Sequence, residues 1–415
     1  LKLARKQKGI FSMGTQMSSS YGSRRHSRGK AQAGSARWFR RYRWLVIAGW
    51  LALLAVVAWT LVMPAAPRPV ATGAAGQAAA AAAASANAKA GKLLPVKLPA
   101  DDAVHDKLTE WWYYSGHLQT NSGEKYSFHL ASFLRRGTLT HTVFHGSLLD
   151  HQTEKRYTEQ ARTAGNPSDG RHDGFNFSFG NWQMQGNSEK HLAKMAGKDF
   201  SLDLQFVDKN QPVLHQAPGT PIAGLLDFAA AGKSYYTSRP RMSVQGTLTL
   251  DGEQKAVLGE VWFDHQWGDF EAAKLRWNWF ALQLSDGADI MIFELFDRQG
   301  KPVQRMGTYA RNGRISALGD GDIGLSSSGS WKSPASGVSY PLDWTLSIPS
   351  KGVQLQVDPV IRASEFDART TTLNVYWEGA IKLSGSHSGV GFMELSGYEA
   401  AKERQQEPPA AKRKK

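Results

Sequence analysis

Thr109-Glu110-Trp111-Trp112-Tyr113-Tyr114-Ser115-Gly116-His117-Leu118 is the densest aromatic cluster in a chain of 415 residues. Large rings suit a pleated, half-buried surface, so the stretch reads as a strand. Alternation puts Glu110, Trp112 and Tyr114 on one face and Trp111, Tyr113 and His117 on the other. The Asn121-Ser122-Gly123 turn that follows predicts a hairpin bringing His117 near Phe128 and His129. Two readings follow from the pattern. The rings pack as the core of a barrel strand, or a carboxyl is held beside aromatic faces, which raises its pKa and stabilises a developing cation.

The same grammar extends along the chain. Trp111–Leu118, Tyr126–Leu134, Val244–Leu250, Trp279–Leu284, Ile290–Phe296 and Val375–Ile381 are rich in aromatic and β-branched residues. They are separated by turns at Asp251-Gly252, Ser285-Asp286-Gly287, Gln299-Gly300 and Asn312-Gly313. Past residue 100 there is no long apolar stripe of helical period, so the fold class is all-β, built as sandwiches or barrels. A boundary near 270–275 predicts two domains, 101–272 and 273–400. There is no cysteine, which excludes disulfides, thiol nucleophiles and cysteine-ligated zinc.

The net charge of +14 is carried by the ends of the chain. Residues 1–43 hold twelve Lys and Arg and no acid, whereas residues 101–400 are net acidic by six charges. A nucleic-acid binder would concentrate basic charge on its folded domain, so no nucleic-acid partner is expected. From Trp44 to Met63 run twenty residues without a charge, roughly 30 Å of helix and enough to cross the hydrocarbon core. The Trp38-Phe39-Arg40-Arg41-Tyr42-Arg43 anchor before it keeps the basic arm cytoplasmic and sends residues 64–415 outward. A membrane anchor in the bacterial inner membrane with a periplasmic body is the expectation. A cleaved signal segment, which would export the body, is the alternative. Residues 64–100, rich in Ala, Pro and Gly, read as a tether; the basic tail 401–415 reads as disordered.

A second motif, Gly259-Glu260-Val261-Trp262-Phe263-Asp264-His265-Gln266-Trp267-Gly268, sets an acid beside an imidazole between two tryptophans, the ingredients of an acid/base site. Strand neighbours point apart, so Asp264 and His265 share a pocket only if the backbone turns, for which Gly268 is the candidate. Tyr376-Trp377-Glu378-Gly379-Ala380 and Glu394-Leu395-Ser396-Gly397-Tyr398 read as a closing hairpin. Glu294 is an acid in an apolar strand and is read as paired or partly exposed. The chain has no Gly-x-Ser-x-Gly elbow, Ser326–Ser330 reading as a loop, and no His-Glu-x-x-His, P-loop or dinucleotide fingerprint. Twelve histidines, among them His129, His141 and His145, could supply a metal site, but nothing in their spacing is diagnostic of one.

Five pieces in order, TEWWYYSGHL (109–118), VWFDHQWG (261–268), WNWFALQL (277–284), YWEGA (376–380) and ELSGY (394–398), resemble the family of carotenoid 1,2-hydratases and AttH-like secreted hydrolases. The likeness spans about residues 105–398, while Asp101–Leu108 departs from the usual pattern and His129 stands where relatives are expected to carry glutamine. It implies two lipocalin-like β-barrel domains in tandem. It also implies one of several activities: hydration of isolated double bonds in isoprenoids, hydration of aromatic natural products, or polyene cyclisation. Many AttH-like members lie in transport-type gene neighbourhoods, which implies a transport-system partner.

The sequence therefore predicts a protein handling an apolar lipid or isoprenoid, hydrating or hydrolysing it by acid/base chemistry with no cofactor and no metal. Asp264 would donate a proton, and His265 or Glu110 would orient or deprotonate water. Trp112, Tyr114, His129, Trp262 and Trp267 would line the substrate. The alternative is a non-catalytic periplasmic lipid carrier, or an accessory of a transport or attachment system.

Overall fold

The computed structural model describes residues 93–399. The predicted arm, the apolar span, most of the tether and the basic tail lie outside the described residues. Twenty-two antiparallel strands form two sheets. The first holds β1 (Thr109–Thr120), β2 (Lys125–Arg135), β3 (His141–Asp150), β4 (Lys155–Ala164), β5 (Phe175–Phe179), β6 (Trp182–Gly186), β7 (Lys190–Ala196) and β8 (Phe200–Val207). It is completed by β9 (Val213–Leu214), β10 (Leu225–Asp227), β11 (Gly232–Leu250) and β12 (Glu253–Phe270). A short 3-10 turn, Ala272–Lys274, leads into the second sheet. This holds β13 (Leu275–Leu284), β14 (Asp289–Asp297), β15 (Pro302–Arg311), β16 (Arg314–Leu318) and β17 (Gly324–Lys332). It continues through β18 (Ser339–Ile348), β19 (Val353–Pro359), β20 (Glu365–Asp367), β21 (Val375–Gly385) and β22 (Gly389–Ser396).

The two sheets repeat one topology. In each, the first four strands meander to one edge, and the chain then crosses to the far edge and meanders back. The last strand closes against the first: β12 on β1, β22 on β13. Both sheets curl into barrel-like forms, one nearly closed and the other a half-barrel.

Strand alternation sorts the side chains into three cores. Trp112, Tyr114, Phe128, Phe144, Phe177 and Phe263 fill the first barrel, so its interior is packed with rings rather than hollowed into a cup. Phe280, Leu282, Ile290, Leu355, Trp377 and Met393 fill the second. The outward faces of the paired first and last strands meet each other. There Tyr113, Tyr236, Trp262, Trp279, Phe293 and Phe392 form the third core.

The predicted hairpin after β1 is present with a shifted register: His117 pairs with Ser127 and His129 with Ser115. Gly268 does not turn the chain. β12 runs straight through it, and a Cβ there would sit 2.2 Å from the Lys233 carbonyl oxygen, so it is a close-approach glycine. The irregularity falls instead in β11, between Arg239 and Met242, where Pro240 cannot donate to the ladder. Its carbonyl accepts from Gln283 Nε2 of the second sheet at 2.6 Å. Ser326–Ser330 is not a loop but part of β17, with two register shifts against β18.

Candidate active site between the two sheets

Between the outward faces of the two sheets lies a cavity of about 1020 Å³. Its walls are aromatic, with Trp111 and Tyr113 from one sheet and Trp277 and Trp279 from the other, and the carboxyl groups of Asp264, Glu378, Glu394 and Glu399 line it. Apolar walls with a few convergent polar groups are what small-molecule sites are made of.

Asp264 sits on β12, directly across from Tyr113 of β1. Its Oδ2 accepts from the Tyr236 hydroxyl at 2.6 Å; its Oδ1 accepts from Trp262 Nε1 at 2.6 Å and from the Ser238 hydroxyl. Behind these partners, Trp279 Nε1 donates to the Tyr236 oxygen at 2.9 Å, tying the two sheets together. His215 Nε2 lies 2.6 Å from the Ser238 hydroxyl, and its Nδ1 lies 2.9 Å from Thr308 Oγ1. Burial pushes the Asp264 carboxyl up to about 7, against three hydrogen bonds that favour its charged form.

Glu378 and Glu394 are opposite neighbours on β21 and β22. Glu378 is buried; its Oε1 accepts from the Tyr113 hydroxyl at 2.6 Å, whereas its Oε2 has no partner. Burial, and next the Glu394 carboxyl beside it, push Glu378 well above the ordinary carboxyl range. Glu394 is half-buried, opens onto the cavity, and is pushed up to about 7 by desolvation against a hydrogen bond from Trp277. Asp264, Glu378 and Glu394 thus provide carboxyls from both walls, all raised above the ordinary carboxyl range by burial but with different hydrogen-bond partners. Different environments for otherwise identical acids are the physical basis of acid/base pairs.

At one end of the cavity, His129 and His145 lie on β2 and β3. His129 Nδ1 is 2.6 Å from Ser147 Oγ, and His145 Nδ1 is 2.9 Å from the Tyr376 hydroxyl. Burial drives His145 down to about 3 and His129 well below its ordinary value, so both are neutral imidazoles.

The structure divides the residues that the sequence singled out. Asp264, Trp262 and His129 belong to the inter-sheet face. Glu110, Trp112, Tyr114, His265 and Trp267 lie on the other side of the same strands, in the first barrel. Asp264 and His265 point apart because β12 does not turn. Trp112 stacks on His265 at 4.7 Å and Tyr114 donates or accepts at His191 Nδ1, 2.8 Å away; neither meets the cavity. Glu378, Glu394, Tyr236 and Trp279 were not singled out as site residues. The available signal was an acid at the centre of each apolar strand of one hairpin, YWEGA and ELSGY, which places two carboxyls side by side.

The fold and cavity define an all-β, two-sheet protein with a buried acidic site. The sequence profile of the AttH-like family matches residues 88–398, and the chain belongs to that family. It is 23% identical over 323 residues to a kievitone hydratase of Fusarium solani subsp. phaseoli, covering 73% of this chain and 86% of that protein. A crystal structure of a protein designated AttH, from Nitrosomonas europaea, superposes with a TM-score of 0.65 at 23% identity, covering 74% of this chain and 98% of that one. The crystal structure of kievitone hydratase from Nectria haematococca superposes with a TM-score of 0.61 at 21% identity, covering 73% and 93%. These likenesses establish the shared fold.

Proposed function

We propose that the inter-sheet cavity binds an apolar lipid or isoprenoid and adds water across one of its double bonds. The observation that carries this reading is that Glu378 and Asp264 open onto one cavity from opposite aromatic walls, Glu378 with an oxygen that has no partner. The hydratase relative supports it at the level of reaction class.

Glu378 is held well above the ordinary carboxyl range by burial and has an unpartnered oxygen, so it is the donor: its proton goes to one alkene carbon, leaving a cation facing the rings of Tyr113, Trp277 and Trp279. Asp264, whose three donors favour the anion, takes a proton from the attacking water as the oxygen bonds to the cation. The product is the substrate plus one water. Proton return from Asp264 to Glu378 resets the pair. This reverses the role that the sequence suggested for Asp264. The reading also keeps Trp44–Met63 as an inner-membrane anchor that holds the cavity in the periplasm beside a source of apolar substrate.

Incubation with host lipid extract in ¹⁸O-water, followed by mass spectrometry, tests the reaction. A product heavier by one labelled water with the wild type, and absent with Glu378→Gln, is expected. Labelled cleavage fragments would make the reaction a hydrolysis. No label, with an apolar molecule co-purifying with both proteins, would replace catalysis by carriage. The pH profile tests the roles: activity rising through about 7 assigns Asp264 as base, whereas activity falling through that pH would make it the acid.

A further inference from the structure

On the opposite face of β1 and β12 from the cavity, three nitrogen and oxygen donors converge at the edge of the first barrel. His105 Nδ1 lies 2.8 Å from Glu110 Oε1, and His265 Nε2 lies 2.9 Å from the same oxygen. All three ligand atoms lie within 4.8 Å of one another. Three donors bound at zinc-like distances are separated by roughly 3.3 Å, so opening the two short contacts and closing the nitrogen pair by at most about 1.5 Å would form the site.

The surroundings resemble a ligand shell. His105 Nε2 faces Asp101 Oδ1 at 3.4 Å, the carboxylate-behind-imidazole arrangement that orients metal-ligating histidines. The His105 ring lies flat on Trp267, 4.3 Å between centroids and 2° between planes, and Trp112 stacks on His265. His265 is buried and its Nδ1 has no partner, so its ring is held by the cluster alone on its polar side. Among the described residues no Lys or Arg is paired with Glu110; the groups facing it are the two imidazoles and the His105 backbone N–H.

We infer that His105, Glu110 and His265 bind one divalent transition-metal ion of the zinc class, with Asp101 as the outer carboxylate and a fourth position left to solvent. Two imidazoles and one carboxylate select zinc, cobalt, nickel or copper over magnesium and calcium, which take oxygen ligands. The ion would clasp the segment before β1 onto the barrel wall. The sequence spacing concealed the site because His105 and His265 are brought together only by the pairing of β1 with β12.

The test is zinc binding to the full chain after dialysis against chelator, measured by competition with a chromogenic chelator and by thermal unfolding. One equivalent is expected to bind stoichiometrically at micromolar protein and to raise the unfolding temperature, while magnesium does neither. His105→Gln, on a partly exposed segment outside the barrel core, is expected to fold normally and lose about 100-fold in affinity; Glu110→Gln should behave alike, and Asp101→Asn should lose about 10-fold. Cobalt should give the visible bands of a low-coordinate nitrogen–oxygen site in the wild type alone. Absence of zinc binding, or binding of equal affinity in His105→Gln and Glu110→Gln, would overturn the inference and leave a hydrogen-bonded His–Glu–His network.

Discussion

The two sheets follow the same path and bury different chemistry. Near the start of the first strand of each sheet an interior polar cluster sits at the barrel edge. In the second, Glu294 is clamped by Arg305 at 2.6 Å and by Asn278 Nδ2 at 2.8 Å, and the Tyr398 hydroxyl donates to Asn278 Oδ1. In the first, Glu110 meets two imidazoles instead of a guanidinium. The outward faces differ as well: the first sheet gives Asp264 three hydrogen-bond donors, whereas the second leaves Glu378 and Glu394 side by side. An acid paired with a guanidinium inside the barrel is structural; the acids that open onto the cavity are available for chemistry. Topology repeats the scaffold, and the side chains at matching places decide what each copy does.

The largest expected effect separates the cavity from both interiors. Glu378→Gln and Asp264→Asn should each lower turnover by about 10²–10⁴-fold, the usual contribution of a positioned acid or base, in a product assay with the fold checked by circular dichroism. Glu294→Gln should leave turnover unchanged. Equal losses in all three would erase the distinction between the sheets.

Next in size is a contrast between tryptophans. Trp112 is buried in the ring-packed barrel, against Phe177 at 4.6 Å and His265; Trp112→Ala should cost about 3–5 kcal/mol by urea unfolding. Trp277, half-buried on the cavity wall, should cost much less when truncated and should raise KM. A Trp112→Phe protein that folds normally but binds no substrate would move the site into the first barrel.

These contrasts also show what could be read from sequence. Alternation along TEWWYYSGHL assigned each ring to its face, and turn residues located the strands, because both signals are local. The hidden parts were pairings. Which face of β1 would meet the second sheet depends on the curl of both barrels, and no local period encodes that. Gly268 was open to a turn or a close approach, and only the backbone of β11 beside it decides. Glu378 and Glu394 looked like hairpin residues because their importance comes from Tyr113 and Asp264, some 130 to 265 positions earlier.

The pH dependence of stability sharpens the comparison between acids held neutral and acids held charged. The Asp264 carboxyl goes from an ordinary 3.8 to about 7 on folding, so the folded state binds more protons between those values. Stability is therefore full below about 4, declines as pH rises through this window, and levels off above about 7. The slope from Asp264 is worth at most about 4 kcal/mol, and Glu394 adds in the same direction. Urea midpoints of Asp264→Asn should fall less steeply from pH 5 to 8 than those of the wild type. An unchanged slope would mean that Asp264 is ionised throughout.

The smallest effect concerns the clamp itself. Arg305 is about a quarter exposed, with a side-chain exposure of 27%, so solvent screens its attraction for Glu294 and the pair is worth less than a fully buried one. Glu294→Gln keeps the shape but only one acceptor oxygen, so either Asn278 or Arg305 loses its partner, and it should cost about 1–2 kcal/mol in urea unfolding, independent of added zinc. Glu110→Gln, in the polar cluster at the edge of the first sheet, should change stability by a zinc-dependent amount. Identical zinc-independent costs at the two places would make both clusters structural clamps, and the difference between the sheets would then reside in the cavity carboxyls alone.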